Sequence, residues 1–236
     1  MNLRQYWARD YTGRPFVLFG TSHLAVLGVV AALNLGWLWL GPALDAEARL
    51  AVRVALAMGL LVNESIWHLW NVTTGQWTAQ TLLPFHLCSL LIYLSAFMLL
   101  TRNYPAYEFC YFLGIGGASQ ALLTPEAGRY GFPHVKFWTT MVSHSLLVTA
   151  PLYMTLVEGF RPTPGSMLRV VAELAAYAVV VMIVNRLLGS NYMYLSRKPD
   201  TPSLIDMLGP WPWYIGWLAL IALAVIGLLY LPFLFV

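Results

Sequence analysis

Charge is scarce in this chain: of 236 residues only 13 are Lys or Arg and 10 are Asp or Glu, too few to solvate a globule of that size. That shortage excludes a water-soluble protein built around one core. Lysine is rarer still, limited to Lys136 and Lys198. Neither lies in the last apolar segment, which sets aside a retinal-type photoreceptor and its Schiff base. No basic run stands behind the net charge of +3, which suits loops facing anionic lipid head groups and implies no nucleic-acid partner. The cysteines Cys88 and Cys110 and the histidines His23, His68, His86, His134 and His144 form no Cys-x-x-Cys and no His-x-x-x-His, so no tight metal-ligand motif is present. Internal repeats and low-complexity tracts are missing too.

What the chain has is apolar surface, with 59% hydrophobic residues. Runs of roughly twenty apolar residues are long enough to cross a hydrocarbon core about 30 Å thick. The expected fold class is therefore all-α, a polytopic membrane protein forming a bundle of about seven transmembrane helices in a single domain over residues 1–236. The helices are expected near 16–40, 50–70, 81–100, 106–123, 136–157, 168–188 and from 211 to about 235. Gly41-Pro42 ends the first, and a polar turn over 71–80 ends the second. Gly114, Gly116, Gly117 and Ala118 offer the fourth a small-residue face for close packing. Residues 124–134 read as a loop or re-entrant piece, and Trp211-Pro212-Trp213-Tyr214 reads as an interfacial belt. The apolar run after Arg14 is too long for a signal peptide and lacks a small-residue cleavage site, so it is expected to stay as a span. Arg4, Arg9, Arg14, Arg129, Lys136, Arg186, Arg197 and Lys198 fall on the amino-terminal face, against Arg49, Arg53, Arg102, Arg161 and Arg169 on the other. This bias favours a cytoplasmic amino terminus.

Polar side chains inside such spans are costly and by default mark a functional site. The stretch Leu82-Leu83-Pro84-Phe85-His86-Leu87-Cys88-Ser89 places an imidazole and a thiol among apolar residues. Counted along helices at about 1.5 Å per residue, Cys88 and His144 each lie roughly 12 Å from the amino-terminal face. His23, Glu64 and His86 lie about 10 Å from it, with His68, Gln120 and Asn185 shallower. Six helices thus send polar groups to one half of the membrane, whereas Asn34 and Glu173 fall toward the other face with no assigned role. Cys110 is separated from Cys88 by about 10 Å along the membrane normal, so no disulfide is expected.

A thiolate attacks an ester carbonyl, and a neighbouring imidazole can take the proton and later return it. Cys88 and His144 suit those roles, while an inert buried thiol is the plain alternative. Glu64 either orients an imidazole or simply pairs with His68 at i+4. His86, about 200° around a helix from Cys88, either touches substrate or bonds across helices. In the segment Asn191-Tyr192-Met193-Tyr194-Leu195-Ser196-Arg197-Lys198-Pro199, Arg197 and Lys198 either hold a phosphate or act as positive-inside anchors. Six further residues, His23, Glu64, His68, Gln120, Asn185 and Asn191, join His86 and Tyr192 as candidate substrate contacts.

The motifs Leu83-Pro84-Phe85-His86-Leu87-Cys88-Ser89, Leu123-Thr124-Pro125-Glu126, Gly131-Phe132-Pro133-His134, Ser143-His144 and Gly189-Ser190-Asn191-Tyr192-Met193-Tyr194-Leu195 with Lys198-Pro199 resemble, in order, the YwaF-type bacterial membrane proteins. Their vertebrate relative is transmembrane protein 164. The resemblance spans nearly the whole chain. It implies a cysteine-dependent phospholipid acyltransferase of the bacterial inner membrane, with Cys88 and His144 matching the family's catalytic cysteine and histidine and with phospholipid and lysophospholipid as partners. No cofactor and no metal is implied. A more distant similarity is to the androgen-induced hydrolases of fatty-acid esters, which use threonine where this chain has Cys88. Three chemistries follow as expectations: acyl transfer through a Cys88 thioester, hydrolysis of a lipid ester by the same pair, or non-enzymatic small-molecule or metal binding in the polar layer.

Overall fold

The computed structural model describes residues 3–199 and 204–234. Those residues are all-α, with no strand among them. They gather into two compact units: Met1–Trp77 with Leu91–Arg161, and Thr78–Leu90 with Pro162–Val236.

In the first unit a 3-10 turn (Leu3–Trp7) precedes α1 (Thr21–Leu40), which gives way at Gly41-Pro42 to another 3-10 turn. Helix α2 (Ala46–Thr73) starts earlier than the apolar pattern suggests, because the Asp45 carboxylate accepts the Ala48 N–H at 2.8 Å and caps it. Helix α3 (Leu87–Thr101) begins in the second unit and continues into the first. Asn103 caps α4 (Tyr104–Phe109), which passes through a π-helical turn (Cys110–Gly114) into α5 (Ile115–Leu123), making one rod over 104–123. Helix α6 (Val135–Leu156) packs against α1, α2 and α5 and forms the centre of this unit. Pro151 inside α6 has no N–H for the Leu147 carbonyl, and a Cβ built on Gly114 would sit 3.1 Å from that oxygen. Glycine at 114 therefore serves close packing, as its small-residue setting suggests, whereas Gly117 faces open space.

In the second unit α7 (Pro164–Leu188) opens on a capping box between Thr163 and Ser166 and closes at Gly189, whose φ of 65° is the left-handed cap glycine adopts at least cost. A loop with 3-10 turns at Tyr192–Tyr194 and Leu204–Leu208 leads to α8 (Trp213–Tyr230), which packs on α7. The expected end of this helix near residue 235 lies outside the described residues.

Among the described residues there are seven helical rods, of which four segments are long and apolar enough to cross a membrane: Thr21–Ala43, Ala46–Thr73, Pro164–Leu188 and Trp213–Phe233. The other three depart from the expectation for separate reasons. Helix α3 has 15 residues, roughly 22 Å at the helical rise. The 104–123 rod holds Glu108 and a π turn. Helix α6 is diluted by Lys136, Thr139, Thr140, Ser143, His144, Ser145, Thr149 and Thr155. A second correction concerns the start of α3. The pattern suggests a helix from residue 81, yet 78–86 is a series of turns, because Pro84 disfavours helical backbone at Leu83 and the Phe85 N–H bonds instead to the Leu83 carbonyl at 2.7 Å. Depths counted from residue 81 therefore do not apply to His86 and Cys88.

Candidate functional site

Cys88 lies in the first turn of α3, in the second unit. The His86 carbonyl accepts the first helical bond, from Leu90 N at 3.0 Å, so the N–H groups of Leu87, Cys88 and Ser89 precede the intrahelical ladder. The thiol is free and half-buried. The chain ahead of it is held by the loop that follows α7. The Tyr192 hydroxyl donates to the Ala79 carbonyl at 2.7 Å and accepts the Leu83 N–H at 2.9 Å. The Tyr177 hydroxyl reaches the Phe85 carbonyl at 3.1 Å and the Pro84 carbonyl at 3.4 Å. His86 Nδ1 accepts the Met193 N–H at 3.3 Å, and its ring packs against Tyr192 and Tyr194.

The loop is itself pinned. Asn185 Oδ1 accepts from Tyr192 N and Ser190 Oγ, both at 2.8 Å, and its Nδ2 donates to the Tyr192 carbonyl at 3.0 Å. Asn191 Oδ1 accepts the N–H groups of Ser196 and Arg197. Tyr214 donates to the Tyr194 carbonyl. Among the expected substrate contacts the structure thus brings His86, Asn185, Asn191 and Tyr192 together as one hydrogen-bonded knot. Tyr192 is fully buried. Arg197 is exposed, and Lys198 pairs with Asp206 at 3.7 Å.

His144 lies midway along α6, in the first unit. Its Nδ1 is 2.7 Å from the Thr140 carbonyl, and a carbonyl only accepts, so Nδ1 carries the ring hydrogen. In the neutral ring this leaves Nε2 without a hydrogen, the form a general base needs. The other expected first-unit residues are committed differently. His23 Nε2 donates to the Leu122 carbonyl at 2.7 Å, and its Nδ1 accepts the Phe19 N–H, so both nitrogens serve the fold. Glu64 and His68 form the i+4 pair at 3.3 Å, and Trp77 Nε1 donates to His68 Nδ1 at 3.0 Å. The pair was legible in the spacing, but Trp77 and Tyr177 were not, since nothing local links either to its partner. Gln120 is exposed and donates to Thr124 Oγ1. Among the described residues no group of three or more His, Cys, Asp or Glu is placed to hold a metal ion.

Outside the membrane spans, His134 caps α6 by accepting the Lys136 N–H at 3.0 Å and donates from Nε2 to the Ala8 carbonyl at 3.0 Å. Burial holds its pKa below the usual histidine value, partly offset by the Ala8 bond. Cys110, in the π turn, is a fully buried free thiol beside Ser95 Oγ at 3.4 Å.

No curated protein and no solved structure matches the chain. The model of the TMEM164 family matches residues 18–230. That match covers more than half of the chain, and with the four apolar helices it makes this an integral membrane protein that belongs to the TMEM164 family.

Proposed function

We propose that the protein is a phospholipid acyltransferase in which Cys88 is the nucleophile and His144 the proton carrier. The observation that carries this reading is the bare Nε2 of His144, held by the Nδ1 bond to Thr140. Family membership and the first-turn position of Cys88 support it. In the first half-reaction His144 Nε2 takes the thiol proton and the sulfur attacks the acyl carbonyl of a phospholipid. The C–O bond breaks, the proton passes to the leaving alkoxide, and a thioester and a lysophospholipid result. In the second, a different lysophospholipid hydroxyl gives its proton to Nε2 and attacks the thioester, which returns the thiol. N–H dipoles at the start of α3 favour negative charge developing on the carbonyl oxygen. Arg197, with Lys198, receives the head-group phosphate at the membrane surface. In this reading all seven rods are embedded in the inner membrane of a bacterium, with the amino terminus in the cytoplasm.

The test is transfer from acyl-labelled phospholipid by the purified protein in vesicles, with and without lysophospholipid. The expected result is label in newly formed phospholipid only when lysophospholipid is present, lost in Cys88→Ala and in His144→Ala. Equal release of free fatty acid in both samples would assign the pair to hydrolysis instead. Undiminished transfer by Cys88→Ala would overturn the reading.

A further inference from the structure

We propose that Tyr192, with Tyr177, is a positioning residue that sets where α3 begins and so keeps Cys88 in its first turn; this rests on Cys88 being the nucleophile. Proline is well tolerated in the first turn of a helix, so the local sequence permits α3 to begin at Pro84. In such a helix the Pro84 and Phe85 carbonyls would accept the N–H groups of Cys88 and Ser89, four residues on. Cys88 would then sit more than a turn inside, with its amide consumed by the ladder.

The structure opposes that extension at each point. Tyr177 Oη occupies the Phe85 carbonyl at 3.1 Å and approaches the Pro84 carbonyl at 3.4 Å. Tyr192 Oη ties Leu83 N at 2.9 Å to Ala79 O at 2.7 Å, which fixes the backbone just ahead of the proline in turns. The Tyr192 ring packs on Phe85 at 5.4 Å and on His86 at 5.1 Å, and the Met193 N–H draws the His86 imidazole toward the loop. Tyr192 is itself immobilised through both main-chain groups by Asn185. The hydroxyl is therefore a fixed template against which residues 79–86 are laid out, ending two residues before the thiol.

The test uses full-length protein in vesicles carrying Cys110→Ala, so that Cys88 is the single thiol, with Tyr192→Phe and Tyr177→Phe added separately. Each variant keeps its ring and loses the hydroxyl. Two readouts are taken: the rate of Cys88 alkylation by N-ethylmaleimide, and kcat and KM for transfer. The expected result is alkylation slowed about tenfold in Tyr192→Phe and less in Tyr177→Phe, with kcat falling in the same order and KM within about twofold, since misplacement by an ångström is enough for such losses. Unchanged alkylation in both variants overturns the inference, whatever happens to transfer. Slowed alkylation together with transfer that survives Cys88→Ala upholds the positioning of the thiol and rejects the acyl-transfer reading, so the two failures are distinguishable.

Discussion

Helices α3 and α6 both follow a proline and a histidine, and the two histidines do opposite things. At α6, His134 turns onto its own helix: Nδ1 accepts the Lys136 N–H, Nε2 donates to Ala8, and the ring lies within 4.5 Å of Tyr130 and 4.8 Å of Tyr11, centre to centre. His134 itself is fully buried. At α3, His86 turns away, and its Nδ1 accepts from Met193 in the loop after α7. The first turn of α3 is thereby shaped from outside, by tyrosine hydroxyls holding the preceding carbonyls, and it carries a half-buried thiol where α6 carries Lys136. Similar local sequence thus gives a structural cap in one place and a first-turn thiol in the other. The partner each imidazole finds makes the difference.

The comparison breaks most visibly at the thiol. Replacing Cys88 by Ala should lower transfer roughly 10³-fold or more while the protein stays folded, whereas Cys110→Ala should keep activity within about twofold per folded molecule. Replacing His134 by Ala removes a cap and a tether to Ala8, and should cost about 2 to 3 kcal/mol of stability in a detergent unfolding titration, with transfer per folded molecule preserved. His86→Ala should cost only about 1 kcal/mol by the same titration but reduce transfer, the reverse ranking.

The smallest effect is a drift with pH. Burial favours the neutral ring of His134, so its folded pKa lies below its ordinary value of 6.5, and the unfolded chain binds the proton first as pH falls. The contribution of His134 is full above about pH 6.5 and is lost progressively below it. The thermal midpoint should fall across that window in the wild type and fall less in His134→Gln.

Helix ends marked by local chemistry were legible in the sequence. Gly41-Pro42 ends α1 and Gly189 ends α7, because these residues act on their own backbone. Asp45 would have placed the start of α2 correctly had its capping role outweighed the apolar pattern. The Glu64 and His68 pair was readable for the same reason, being one helical turn apart. Pro84, which disfavours helix at Leu83, was readable, but the start at Leu87 rather than at Pro84 was not, since the hydroxyls that bond the backbone of residues 79–85 come from Tyr177 and Tyr192, about ninety residues and more away in the chain. Nor was the ring tautomer of His144, which depends on how close the Thr140 carbonyl comes. The number of sufficiently apolar helices was overread because α6 pairs an apolar core surface with many hydroxyl groups that bond its own backbone, as Thr139, Ser143, Ser145 and Thr155 do.

The central claim is a covalent acyl-enzyme at Cys88, and the most direct measurement is mass spectrometry of the protein quenched in acid after brief exposure to phospholipid without acceptor. The account predicts one fatty-acyl mass on the peptide containing Cys88, removed by neutral hydroxylamine and by added lysophospholipid, and missing from Cys88→Ala. Steady transfer by a protein whose Cys88 peptide never carries that mass would contradict it.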